Sequence, residues 1–340
     1  MLKLAKIAGY ALLVPLGLTA AGITATIGWR PFLGPKARPL TDRKFQAAPE
    51  RLQRGTYFVE HVAGCMECHS PHDWSKHDAP IPEGMKGAGT IFPLKGLPGR
   101  LVAPNLTPDP ETGAGTWSDD QLARAIREGV GHDGRALFPL MPYQRFREMS
   151  DEDLASVIVY LRSLQPVRNP LPKSEIIFPV KYLIRNVPQP VLQPVSAPGP
   201  NAGALSRGRY QTQMASCIEC HTPKDEHGQP IPGLEFGGGF ILEGPWGRVA
   251  SANITSDPAG ISYYTREMFI QTIRTGTVGG VRELAPIMPW HVFRGMTDED
   301  LSLIFAYLQS VKPVHHSVDN TEQPTYCRLC RNMHGLGERN

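Results

Sequence analysis

The chain has 340 residues, 41% of them hydrophobic and 20% charged, an ordinary composition for a globular protein of two or three domains. A formal charge of +3 is too small to argue for nucleic acid as a partner. All six cysteines stand in Cys-x-x-Cys pairs, which leaves no lone thiol as a candidate for covalent catalysis.

Residues 1–6 carry Lys3 and Lys6, and Ile7 to Trp29 then run without a charge. That length can span a bilayer. The positive-inside rule would keep the lysines in the cytoplasm and export the rest. A membrane anchor is therefore expected at 1–29, with a cleaved signal peptide as the alternative. Residues 30–48, basic and Pro-containing, read as a tether. Glu50 to Val62 reads as a helix, with Leu52, Phe58, Val59 and Val62 on one apolar face. Cys65-Met-Glu-Cys68-His69 follows, then a Pro/Gly-rich loop over 71–104 and a turn cluster from Asn105. Ser118 and Gln121 form a capping box for a helix through Glu128, ended by Gly129. After Met141-Pro142-Tyr143, Ser150 caps a helix whose apolar stripe is Leu154, Val157, Ile158 and Leu161. Residues 49–166 make a first domain, and 167–203 are a Pro-rich, mostly extended linker.

The chain then repeats itself. Gly208-Arg-Tyr210 echoes Gly55-Thr-Tyr57, and Cys217-Ile-Glu-Cys220-His221 echoes Cys65–His69. Asn253 matches Asn105, Ile273-Arg-Thr-Gly276 matches Ile126-Arg-Glu-Gly129, and Met288-Pro-Trp290 matches Met141-Pro-Tyr143. Thr297-Asp-Glu-Asp-Leu301 matches Ser150-Asp-Glu-Asp-Leu154, and Ala306-Tyr-Leu matches Val159-Tyr-Leu. Residues 204–314 are thus a second copy of the domain, followed by a Cys/His tail at 315–340.

Cys-x-x-Cys-His is the attachment sequence for c-type haem. Two thiols one helical turn apart can add to the two vinyl groups of one porphyrin, and the next residue, His, ligates the iron from the proximal side. Two such motifs predict two covalently attached haems, on Cys65, Cys68 and His69 and on Cys217, Cys220 and His221. The repeated Met-Pro pairs make Met141 and Met288 the candidate sixth ligands. His132 and His291 compete for that role but do not occupy matching repeat positions. Met149 and Met296 also match, at the start of the last helix, where a core role is expected. Asn105 and Asn253 could serve the haem propionates or simple turn chemistry.

On these motifs the chain resembles bacterial di-haem c-type cytochromes built from two class I cytochrome c domains. The resemblance covers nearly everything from Arg51 to Val314. It implies an all-α fold of two tandem domains, each wrapped round one haem and here preceded by the N-terminal transmembrane helix. In that family the distal Met commonly stands before Pro on a loop after the third helix, which again points to Met141 and Met288. The implied function is single-electron transfer between redox partners on the periplasmic face of the cytoplasmic membrane. The partners would be a dehydrogenase or respiratory complex. The rivals are an electron-accepting subunit of a periplasmic dehydrogenase, or a di-haem oxidoreductase of the thiosulfate or peroxidase type. Subunits of membrane dehydrogenases usually carry three full motifs, and here the third pair is defective: Cys327-Arg-Leu-Cys330 is followed by Arg331. A disulfide is the expected state of that exported pair. Zinc held by Cys327, Cys330, His334 and one of His315 or His316 is the alternative.

Overall fold

The computed structural model describes residues 2–340, with side chains of the first helix described from Leu13 onward. It begins with α1 (Leu2–Ala25) and α2 (Arg30–Leu33). The first half holds α3 (Pro49–Tyr57), α4 (Cys65–His69), α5 (Asp119–Glu128), α6 (Tyr143–Phe146) and α7 (Asp151–Ser163), and α8 (Val180–Leu183) follows in the linker. The second half repeats the order with α9 (Ala204–Met214), α10 (Cys217–His221), α11 (Arg266–Thr275), α12 (Trp290–Phe293) and α13 (Asp298–Ser310). The loops carry small antiparallel ribbons. β1 (Thr90–Ile91) and β2 (Gly99–Arg100) pair with β3 (Val102–Ala103) and β4 (Glu175–Ile176) respectively. β5 (Ile241–Gly244) pairs with β6 (Gly247–Ala250), β7 (Thr277–Val278) with β8 (Arg282–Glu283), and β9 (Pro324–Tyr326) with β10 (Met333–Gly335).

The helix boundaries follow local chemistry. Ser118 Oγ accepts from the Gln121 N–H while the Ser118 N–H donates to Gln121 Oε1, and Gly129 ends α5 at φ 74°. Ser150 and Thr297 cap α7 and α13, each accepting from the N–H three residues on. The helix expected over 50–62 changes pitch. α3 stops at Tyr57, and Phe58–Val62 form a π-helical turn closed by the Ala63 N–H on Phe58 O. The wider turn brings Phe58, Val59 and Val62 into the core together, while Leu52 remains 40% exposed.

In each half the first helix crosses the last, α3 on α7 and α9 on α13. Gly55 and Gly208 sit at the crossings. A Cβ at Gly55 would run into the Ser156 carbonyl and one at Gly208 into the Leu303 carbonyl. Alanine normally favours a helix over glycine, but here Gly55→Ala or Gly208→Ala will destabilise the protein by about 2 kcal/mol, read as a lower urea midpoint. An unchanged midpoint would mean that the helices can move apart at no cost. One apolar cluster joins both halves, from Phe58, Leu154 and Ile158 through Tyr210 and Met214 to Leu301, Ile304 and Leu308.

One expectation is corrected. No helix among the described residues is long and apolar enough to cross a membrane, which overturns the transmembrane helix and the anchored location drawn from it. Pro15 lies inside α1. Lys3 and Lys6 lie outside the residues whose side chains are described. The tether at 30–48 is docked: Arg38 binds Asp120 at 2.6 and 2.7 Å and Glu128 at 2.8 Å, and both acids are buried. The linker at 167–203 packs back on the rest of the chain. It carries α8, pairs β4 with β2, and Arg185 Nη1 donates to Pro31 O at 2.8 Å.

Candidate functional site

α4 and α10 are single turns that each open on a left-handed residue, Gly64 at φ 57° and Ser216 at φ 54°. That entry turns the chain sharply at the end of the preceding helix and sets the two cysteines one turn apart. His69 Nδ1–H donates to Pro104 O at 2.8 Å, and His221 Nδ1–H to Ala252 O at 2.7 Å. Each bond fixes the tautomer and leaves Nε2 as the lone-pair nitrogen. His69 is 7% exposed, and burial lowers the pKa of both imidazoles, which favours the neutral, ligating form. Burial pushes the Cys65 and Cys217 thiols up to about 12. A thiol pair beside an imidazole with a committed Nδ1–H is the donor set that a covalent haem requires.

Met141 and Met288 are half-buried and packed against the core. Met149 and Met296 are fully buried filler. His132 stacks on Trp117 with centroids 4.1 Å apart, and His291 Nε2 is engaged with Glu67 Oε2 at 2.9 Å. Asn105 and Asn253 do turn chemistry. Each accepts from the Thr two residues on and donates to the segment after the last helix, at Val167 O and Val314 O. Cys327 and Cys330 are both free and buried. With His316 and His334 they form a buried group.

The two halves are held by reciprocal contacts that sequence reasoning missed. Tyr57 Oη donates to Asp300 Oδ2 at 2.5 Å and accepts from the Thr297 N–H, at the start of α13. Tyr210 Oη donates to Asp153 Oδ2 at 2.5 Å and accepts from the Ser150 N–H, at the start of α7. The attachment helices cross in the same way. Glu67 of α4 pairs with His291 of α12, and Glu219 of α10 pairs with Arg145 of α6 at 2.6 Å. Burial raises the Cys68 thiol to about 12, with Glu67, Cys65 and Cys220 adding to it. The available signal was the repeat itself, Gly-x-Tyr and Cys-x-Glu-Cys-His at matching positions.

Residues 55–165 match the Cytochrome c family. The chain is a bacterial c-type cytochrome. The cytochrome is 28% identical over 286 residues to the fructose dehydrogenase cytochrome subunit of Gluconobacter japonicus, covering 81% of this chain and 56% of that one. It is 27% identical over 283 residues to the gluconate 2-dehydrogenase cytochrome c subunit of Pantoea cypripedii, covering 78% of this chain and 60% of that one. Similarity to a diheme cytochrome c-type of Cereibacter sphaeroides is 26% over 268 residues, covering 74% and 83%. The cytochrome thus spans little more than half the length of the two dehydrogenase cytochrome chains it matches.

Proposed function

We propose that the cytochrome carries two c-type haems in units 49–166 and 204–314, and passes single electrons between periplasmic redox partners, a dehydrogenase among them. One haem would bond to Cys65 and Cys68 with His69 and Met141 as axial ligands. The other would bond to Cys217 and Cys220 with His221 and Met288. The observation that carries this reading is the reciprocal crossing of the attachment helices, Glu67 to His291 and Glu219 to Arg145. When bound, the haems supply reversible one-electron iron chemistry. The chain's own residues do the rest. His69 and His221 present Nε2 because Nδ1–H is committed to a carbonyl. With the Met141 and Met288 thioethers as the remaining ligands, no position would be left for a substrate, which suits a carrier. The crossed ion pairs hold α4 against α12 and α10 against α6, keeping the two redox centres at a fixed separation. The dehydrogenase as partner is supported by relatives named as cytochrome subunits of fructose, gluconate and alcohol dehydrogenases.

Protein matured in a haem-attaching host tests this. Its oxidised spectrum should contain the long-wavelength band of Fe–S(Met), and Met141→Ala or Met288→Ala should each remove about half of it. High-spin iron in the unmutated protein, or a single haem by intact mass, would sink the reading.

A further inference from the structure

The tail places four potential metal donors round one point. Cys327 and Cys330 are completely buried, as is His316, and His334 is 1% exposed. Their ligand atoms all lie within 4.8 Å of one another. Cys327 Sγ is 3.4 Å from His316 Nε2, Cys330 Sγ is 3.2 Å from His334 Nε2, and the two Nε2 atoms are 3.1 Å apart. A tetrahedral zinc with Zn–N near 2.05 Å and Zn–S near 2.3 Å sets its ligand atoms roughly 3.3 to 3.8 Å apart. The observed spacings are those of one mononuclear site, drawn slightly inward.

The hydrogen bonds explain why these atoms converge. His316 Nδ1–H donates to Gly237 O at 2.8 Å, and His334 Nδ1 is engaged with Gly335 O at 3.0 Å. Both Nε2 atoms are then lone pairs, and they point at each other and at two sulfurs. Each thiol can offer a proton to one imidazole, but the two Nε2 lone pairs, 3.1 Å apart, have none to share and repel one another unless a cation stands between them. The knuckle is shaped for it. Cys327–Cys330 caps the β9–β10 hairpin, the Cys330 N–H points at Cys327 Sγ at 3.5 Å, and Arg331 turns back at φ 59°. Gly239 makes room for the ring, since a Cβ there would strike His316 Cε1.

The duplicated half supplies an internal control. His316 follows Val314 as Asn169 follows Val167. Asn169 Nδ2 donates to Ala88 O where His316 donates to Gly237 O. The loop residues correspond too, because the next N–H in each copy, Gly89 or Gly238, donates to the carbonyl of the proximal His. Asparagine satisfies this loop contact, so the second nitrogen of His316 is an addition, present only in the copy that also has Cys327, Cys330 and His334. We propose that Cys327, Cys330, His316 and His334 bind one structural zinc ion, which staples the tail to the loop behind His221. The closed N2S2 set with no open position is that of a structural, not a catalytic, site.

The test uses the full-length haem-loaded protein, purified without chelator, with zinc and iron measured together. About one zinc per chain is expected beyond the haem iron. His316→Asn, which installs the residue of the first copy and keeps the Gly237 contact, should lower zinc retention against a competing chelator at least about tenfold with haem content unchanged. In the parent, a strong chelator should open tryptic sites at Arg328 and Arg331. Less than about a tenth of a zinc per chain, full retention in His316→Asn, a Cys327–Cys330 disulfide by mass, or a third haem would each overturn the proposal.

Discussion

Replacing Cys65 and Cys68 together with serine will remove one haem and unfold most of unit 49–166, while the second haem stays attached. Attachment at Cys217 and Cys220, as proposed above, would not involve the altered residues. The first unit has little to fall back on. Its loop over 71–104 has few regular elements, only a few ribbon residues. The apolar contacts of Met66, Leu122, Ile126 and Met141 form round the attachment helix. A porphyrin replaces much of the apolar core such a unit would otherwise need. Losing it removes a share of stability comparable to a small domain's whole margin of about 5–15 kcal/mol. Intact mass checks the haem count, and limited proteolysis checks that cleavage concentrates before residue 166. Retention of both haems, or loss of both, would show that the attachment residues have been assigned wrongly.

The double variant Tyr57→Phe, Tyr210→Phe will lose about 4 kcal/mol, because each phenol donates to a carboxylate and such bonds contribute about 1.5–3 kcal/mol apiece. Each change also strands a helix-start N–H, at Thr297 or at Ser150. The pH profile separates this from simple packing. Burial first, and then Asp300, raise the Tyr57 phenol to about 12 from its ordinary 10.0, and burial with Asp153 raises Tyr210 as well. A folded-state pKa above the unfolded one gives stability that is complete below pH 10 and lost as pH climbs through about 12. Urea midpoints of the parent should therefore fall across that window, and those of the double variant should fall less. Parallel curves would assign the alkaline loss to other groups.

Sequence alone determined what depends on neighbours along the chain. The Ser118–Gln121 box, the Ser150 and Thr297 caps and the one-turn spacing of Cys65 and Cys68 are local, and each appears where hydroxyl, thiol and imidazole chemistry put it. The duplication was legible because seven landmarks recur in order. Tertiary structure decided the rest. Nothing local to Tyr57 says that it caps the last helix of the other half, because the bond spans 243 residues of chain. Arg38 reads as part of a solvated tether, and only the fold buries its partners, Asp120 and Glu128. The uncharged N-terminal run meets the length for a span by charge count, yet no helix among the described residues is long and apolar enough to cross a membrane. The tail is the sharpest case. Cys327 and Cys330 pointed to a disulfide first and a metal site second, and His315 and His316 were interchangeable on paper. Only the fold turned His316 inward and left His315 exposed, because the Gly237 carbonyl and the space at Gly239 accept one ring and not the other.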